Sequence, residues 1–155
     1  CLAILMAHAF PNAEIVAVDI CPDALDVARE NIATYGLEDR IRLVQSDGFS
    51  EVPVQAFDFI LSNPPYVTRE AMEALPKEYL HEPGLALGSG EDGLDLIRRL
   101  LADATRYLKP QGVLAVEVGH NRHIVEETFP DLTPTWLSGS GGEDAIFMLE
   151  AGQLL

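Results

Sequence analysis

The chain has 155 residues, 48% of them apolar, and carries 25 Asp and Glu against 10 Lys and Arg, a formal charge of −15. That length and apolar content support one domain with a real core, while so acidic a surface repels phosphate backbones and anionic lipid headgroups and favours a basic protein as partner. Two cysteines and four histidines form no metal-ligand pattern, no apolar run reaches the roughly 18 residues of a membrane span, and the opening run lacks a signal peptide's basic flank and cleavage site, which together read as a soluble protein of a reducing compartment.

Leu2, Ile4, Leu5 and Met6 make an apolar segment before Phe10-Pro11-Asn12. It reads as a helix whose start is missing, because neither a methionine nor a cap precedes it. Residues 14–19 form a short β-branched run closed by Asp19, the pattern of a buried parallel strand. Pro22 suits a first helical turn, Leu25, Ala28 and Ile32 recur at helical spacing, and Gly36 falls where a left-handed C-terminal cap belongs. Ile41–Gln45 gives a strand ending at Ser46-Asp47-Gly48, and Phe57–Ser62 gives a buried strand ending at Asn63-Pro64-Pro65-Tyr66. A long loop is expected from 67 to 93. Asp92 is a natural N-cap for an amphipathic helix through Leu94, Ile97, Leu100, Leu101, Ala104 and Leu108, stopped by Pro110 and Gly112. Residues 113–118 form another strand. Trp136-Leu137, a Gly/Ser turn over 138–142 and the run 145–149 read as two strands joined by a hairpin.

Strands alternating with helices imply an α/β fold: a parallel sheet with helices on both faces and, from the tail, an antiparallel edge. No repeat, linker or low-complexity tract interrupts it, so residues 1–155 are expected to be a single domain. In such sheets ligands bind outside the carboxyl ends of the strands, where Asp19, Asp47 and Asn63 all lie. Asp19 can accept hydrogen bonds from vicinal ribose hydroxyls, and its place two residues before Cys21 fits a plain helix cap less well. Asp47 suits an adenine amino group, with Gly48 letting the backbone approach the ring, or equally an Asx-type turn before Phe49. Glu117, inside an apolar strand, either braces the site loop or sits at a sheet end near solvent. The histidines, His8, His81, His120 and His123, offer no general base at a recognisable spacing and read as surface or loop residues.

The Asn63-Pro64-Pro65-Tyr66 turn points to chemistry on a planar nitrogen. An amide or exocyclic amine nitrogen is a poor nucleophile because its lone pair is delocalised, and orienting it takes acceptors for both N–H hydrogens. The Asn63 side-chain oxygen and the Pro64 carbonyl supply two. Both prolines have φ fixed near −65°, and Pro65 biases Pro64 toward extended geometry, so those oxygens lose little entropy on binding. Tyr66 offers the planar group a flat face. An isolated match of this length can equally be a proline-rich strand-end turn with a surface tyrosine.

Asp19 with Asp47, followed by Ser62-Asn63-Pro64-Pro65-Tyr66, resembles the class I S-adenosylmethionine-dependent methyltransferases that modify amide or amine nitrogen. Glu78-Tyr79-Leu80-His81-Glu82-Pro83, Leu85-Ala86-Leu87, Ser89-Gly90-Glu91-Asp92-Gly93-Leu94 and Glu117-Val118-Gly119 narrow the resemblance to the N(5)-glutamine protein methyltransferases. Residues 129–137 and Phe147-Met148-Leu149 resemble the branch acting on large-subunit ribosomal protein L-three rather than the branch acting on release factors. The resemblance covers essentially the whole chain. It implies a Rossmann-like class I methyltransferase sheet, mostly parallel with an antiparallel C-terminal hairpin, in a cytoplasmic enzyme that uses S-adenosyl-L-methionine and no metal. By carry-over Asp19 holds the cofactor ribose, Asp47 and Gly48 flank the adenine, and Asn63 faces both cofactor and substrate. Asn63 and Pro64 hold the glutamine amide, and Pro65 and Tyr66 complete that pocket. The implied partner is a basic ribosomal protein, with no direct nucleic acid and no membrane.

One departure from the family pattern is large. The glycine-rich turn after the first strand, that strand itself and the N-terminal helical substrate-recognition region do not occur in these residues, which therefore resemble a C-terminal portion of such an enzyme. A gap in mid-sheet leaves backbone groups unpaired on two neighbours, so residues 1–155 alone are expected to be poorly stable and to bind cofactor weakly. Rival readings are a glutamine methyltransferase of release factors, a nucleic-acid amino methyltransferase and a binding module without catalysis.

Overall fold

The computed structural model describes residues 1–66, 90–139 and 142–154. The chain divides into two compact units, Cys1–Pro53 and Val54–Leu155.

In the first unit the order is α1 (Leu2–Ala9), β1 (Ile15–Asp19), α2 (Pro22–Thr34) and β2 (Ile41–Gln45), and the two strands pair in parallel with Asp19 opposite Gln45. Side chains alternate across a strand, so Ile15 and Ala17 of β1 and Ile41 and Leu43 of β2 share one face. They pack there with Ala3, Ile4 and Ala7 of α1 and Ile32 of α2. Pro22 stands in the first turn of α2, where its missing N–H costs no bond. The helix ends as its glycine predicts. Gly36 has φ +63, its N–H reaches the Ala33 carbonyl at 3.1 Å and the Leu37 N–H reaches the Ile32 carbonyl at 3.1 Å. These are the two bonds of a Schellman cap, and Leu37 and Ile32 supply its hydrophobic contact.

The second unit holds β3 (Phe57–Ser62), α3 (Asp95–Tyr107), β4 (Leu108–Glu117), α4 (Arg122–Thr128), β5 (Thr135–Gly139) and β6 (Gly142–Glu150), closed by a 3-10 turn at Ala151–Gln153. The sheet order is β3-β4-β6-β5, parallel between β3 and β4 and antiparallel for β4–β6 and β6–β5. The antiparallel hairpin read from the tail is therefore present. Leu114 faces Leu149 and Val116 faces Phe147 across β4 and β6, and all four are completely buried. Ile97, Leu101 and Ala104 of α3 and Val125 of α4 cover that layer.

Several expectations need correction. The helix after 93 is α3, with Leu94 rather than Asp92 at its cap position. Asp92 instead accepts the Leu94 N–H at 3.0 Å and grips Arg98. The helix ends at Tyr107, ahead of Pro110 and Gly112 as expected, but those two residues lie inside β4, which begins at Leu108 rather than at 113. A register shift between Phe57 and Phe59 makes room for that stretch, and a Cβ on Gly112 would come within 2.9 Å of the Phe57 carbonyl oxygen. The strands expected to be buried are only half-covered, Val18 and Phe59 each being 40% exposed. Both side chains point away from the cluster that takes their neighbours Ala17 and Ile60. Helix α4 was not expected at all. The loop expected from 67 to 93 falls mostly on 67–89, outside the described residues.

Candidate functional site

The ends of β1 and β2 place Asp19 and Asp47 side by side at the carboxyl edge of a parallel pair. The Ser46 N–H donates to the Asp19 carbonyl at 3.0 Å and the Gln45 side-chain amide donates to the Ile20 carbonyl at 3.3 Å, which ties the two strand ends together. Asp19 is exposed. Its Oδ1 accepts the Cys21 N–H at 2.9 Å, so the carboxylate does close a local turn before α2, contrary to what its spacing predicts. That bond fixes the carboxylate plane, and Oδ2 has no hydrogen-bond partner among the described residues. Cys21 makes no side-chain cap bond, as its residue type predicts.

Asp47 is exposed too, and Gly48 follows it at φ +60, a left-handed conformation that favours glycine. The turn is organised from beneath by a residue the sequence did not single out. Ser46 is 4% exposed; its hydroxyl donates to the Gly48 carbonyl at 2.9 Å and accepts the Glu51 N–H at 2.9 Å. A serine between a strand end and a glycine was the available signal.

The Asn63-Pro64-Pro65-Tyr66 corner leaves β3 in the second unit. Asn63 is exposed, Pro64 buried, and Pro65 and Tyr66 half-buried. Among the described residues neither the Asn63 side chain nor the Pro64 carbonyl is engaged in a hydrogen bond, and these are the two acceptors expected for an amide. Tyr66 is held closely from behind. The Asn121 side-chain amide donates to its carbonyl oxygen. A Cβ on Gly93 would come within 2.5 Å of that oxygen, and one on Gly119 within 2.7 Å of the Tyr66 ring atom Cε2. Asn121 was missed because the helix it precedes was itself not expected and its partner lies 55 residues earlier in the chain.

Glu117 closes β4 half-buried, opposite Ile146, and its side chain makes no ion pair or hydrogen bond among the described residues. That agrees with the reading of a sheet end near solvent. His8, His120 and His123 are exposed, while His81 and the stretch 78–87 that carried part of the resemblance lie outside the described residues. Among the described residues no three His, Cys, Asp or Glu side chains cluster as metal ligands, and no helix is long and apolar enough to cross a membrane.

Comparison with known proteins bears on both halves of this arrangement. A curated relative from Neisseria meningitidis serogroup A, a ribosomal protein uL3 glutamine methyltransferase, is 55% identical over 155 residues, covering 100% of this chain and 51% of its own. The protein of the same name from Bordetella pertussis is 53% identical over 154 residues, covering 99% of this chain and 52% of its own. The chain thus spans about half the length of the curated relatives it matches. Among solved structures, a methyltransferase from Pyrococcus furiosus superposes with a TM-score of 0.64 at 23% identity, covering 94% of this chain and 67% of that one. A Streptococcus mutans protein solved in complex with SAH superposes at 0.56 and 16% identity, covering 88% and 75%. At those identities the likeness is one of fold, and it is the expected α/β methyltransferase fold. The methyltransferase small domain model matches residues 1–132, a stretch that takes in Asp19, Asp47 and the Asn63-Pro64-Pro65-Tyr66 corner, and the chain belongs to that family.

Proposed function

We propose that residues 1–155 are part of one catalytic domain that transfers a methyl group from S-adenosyl-L-methionine to the side-chain amide nitrogen of a glutamine in a basic ribosomal protein of the uL3 kind. The observation that carries the reading is the Asn63-Pro64 corner, whose two oxygens are unclaimed by other groups among the described residues. The names of the relatives and their 53–55% identity over essentially the whole chain support the substrate. A family model that crosses the boundary between the two compact units, matching residues 1–132, supports the single domain.

S-adenosyl-L-methionine supplies an electrophilic methyl carbon on a sulfonium. Asp19 Oδ2 suits a ribose hydroxyl, and the Cβ-free Gly48 turn beside Asp47 suits the flat edge of an adenine. On the substrate side, Asn63 Oδ1 and the Pro64 carbonyl take the two amide hydrogens and aim the nitrogen lone pair, with Tyr66 against the amide plane. In the transfer this donor would supply, the methyl group would pass from sulfur to nitrogen, leaving the sulfur neutral and placing positive charge on the nitrogen. Two fixed acceptors stabilise that charge without reorganising, and one amide proton then leaves to water. A charge of −15 favours a basic polypeptide and disfavours naked RNA.

The test is a methylation assay of the complete gene product with candidate ribosomal proteins, release factors and naked ribosomal RNA, read by mass spectrometry. Methyl incorporation on a glutamine of the ribosomal protein is the expected result. Label on RNA alone, or on no macromolecule, overturns the proposal.

A further inference from the structure

Asn121 occupies the N-cap position of α4, the place where asparagine is among the most favoured residues because its oxygen satisfies a free N–H of the first turn. It makes no such bond. Its Nδ2 instead donates to the backbone carbonyl of Tyr66, 55 residues earlier in the chain. The orientation of the amide follows from the partner: a carbonyl oxygen only accepts, so the nitrogen must face it. Gly93 and Gly119 converge on the same residue, and at both a Cβ would overlap Tyr66, at its carbonyl oxygen and at its ring. Both glycines have left-handed φ, +78 and +55. The helix bearing Asn121 is itself well anchored, with Val125 2% exposed in the core and the Arg122 guanidinium 4.9 Å above the Trp136 ring.

We propose that Asn121 is a positioning residue for methyl transfer. By holding the carbonyl of Tyr66, with Gly93 and Gly119 leaving room for that residue, it sets the direction in which the Asn63 and Pro64 oxygens point. The proposal deepens the glutamine reading and rests on it. A helix cap is the cheaper use of an asparagine here, and forgoing it makes sense if the corner needs a fixed orientation more than α4 needs its cap. Asn121 does not reach the reacting atoms; it acts through Tyr66.

Two variants of the complete gene product separate this role from helix stability. Asn121→Asp cannot donate to the Tyr66 carbonyl yet still suits an N-cap, and Asn121→Ala removes the donor without adding charge. Both are expected to lower kcat on the ribosomal protein by about tenfold or more, the scale of a small misplacement of reactants. KM for S-adenosyl-L-methionine stays within about twofold, and kcat falls for the folded protein in both variants, beyond any change in melting temperature from the lost bond. Variants that fold and keep kcat within twofold overturn the proposal. Amide and ring NMR shifts of Asn63 and Tyr66, read in the same variants, give an answer independent of substrate. If the wild type methylates no glutamine, the functional reading fails; altered shifts at Asn63 then still support Asn121 as the residue that orients the corner, and unaltered shifts overturn that role as well.

Discussion

The Ser46 hydroxyl is hydrogen-bonded to the Gly48 carbonyl at 2.9 Å, beneath the turn that presents Asp47. The same oxygen accepts the Glu51 N–H at 2.9 Å and lies 3.3 Å from the Ser50 hydroxyl. One buried side chain therefore satisfies backbone groups on both sides of the turn, and it has no close substitute. Ser46→Ala leaves the Gly48 carbonyl and the Glu51 N–H without that partner, which is expected to lower unfolding free energy by about 1–3 kcal/mol. Chemical denaturation measures the loss. Calorimetry on the complete gene product should show weaker S-adenosyl-L-methionine binding beyond the change in folded fraction.

Arg40 does comparable work at the other end of the first unit. Its guanidinium donates to the carbonyls of Ala7 at 3.1 Å, Phe10 at 2.7 Å and Ala13 at 3.0 Å. The first two belong to the end of α1, where carbonyls lack intrahelical donors. Arg40→Ala is expected to destabilise the first unit by about 1–2 kcal/mol, solvent screening of this half-exposed group holding the loss to the lower part of the usual range. Arg40→Lys restores only a small part, because an ammonium point charge cannot serve three carbonyls as a planar fork does. Loss of amide-exchange protection in α1 is the direct readout.

The elements bounded by strong local signals were legible in the sequence. β2 and β3 are β-branched or apolar runs ended by turn residues, and their limits match the expected ones, Ile41–Gln45 and Phe57–Ser62. Gly36 announced its cap because a left-handed residue after an amphipathic stretch has few other uses. The misreadings arose where tertiary contacts overrode local chemistry. Pro110 and Gly112 follow the helix end as expected, yet β4 already begins at Leu108, where it pairs with Phe57, and takes both residues into the strand. Asp92 looks like a cap and is claimed by Arg98. Asn121, which the sequence did not single out, donates to the Tyr66 carbonyl. For the candidate site, Asp19, Asp47, Gly48 and the Asn63-Pro64-Pro65-Tyr66 corner were legible by residue type, while Ser46, whose bonds to Gly48 and Glu51 depend on the turn's geometry, and Asn121, whose partner lies 55 residues away, were not.

Asn63 is exposed, and among the described residues its side chain has no hydrogen bond, so its removal has little to disturb in the fold. Asn63→Ala should leave the melting temperature within the small range typical of surface changes. If its oxygen orients the amide, turnover falls by about 10²–10³, as for loss of one preorganised polar group at a reacting centre. Near-wild-type methyl incorporation by a folded Asn63→Ala protein removes the role assigned to that side chain.

Asp92 and Arg98 give a pH dependence of definite sign. Arg98 Nη1 lies 3.1 Å from Asp92 Oδ1, and its Nη2 bonds Oδ2. The Arg98 hydrogen bonds, helped by the Leu94 N–H, hold the Asp92 carboxyl below its ordinary value of 3.8, against a smaller opposing effect of burial. A folded-state value below the unfolded one means that the unfolded chain binds the proton first as pH drops. The stabilisation is therefore complete above the ordinary carboxylate value and disappears as pH falls through the lowered one. With side chains 41% and 35% exposed, the pair contributes under about 1 kcal/mol and less in salt. Arg98→Met should return the Asp92 titration, followed by carboxyl NMR, toward its ordinary value, and should flatten the acid limb of stability around pH 3–4. An Asp92 titration unmoved by that substitution would show that Arg98 is not what depresses it.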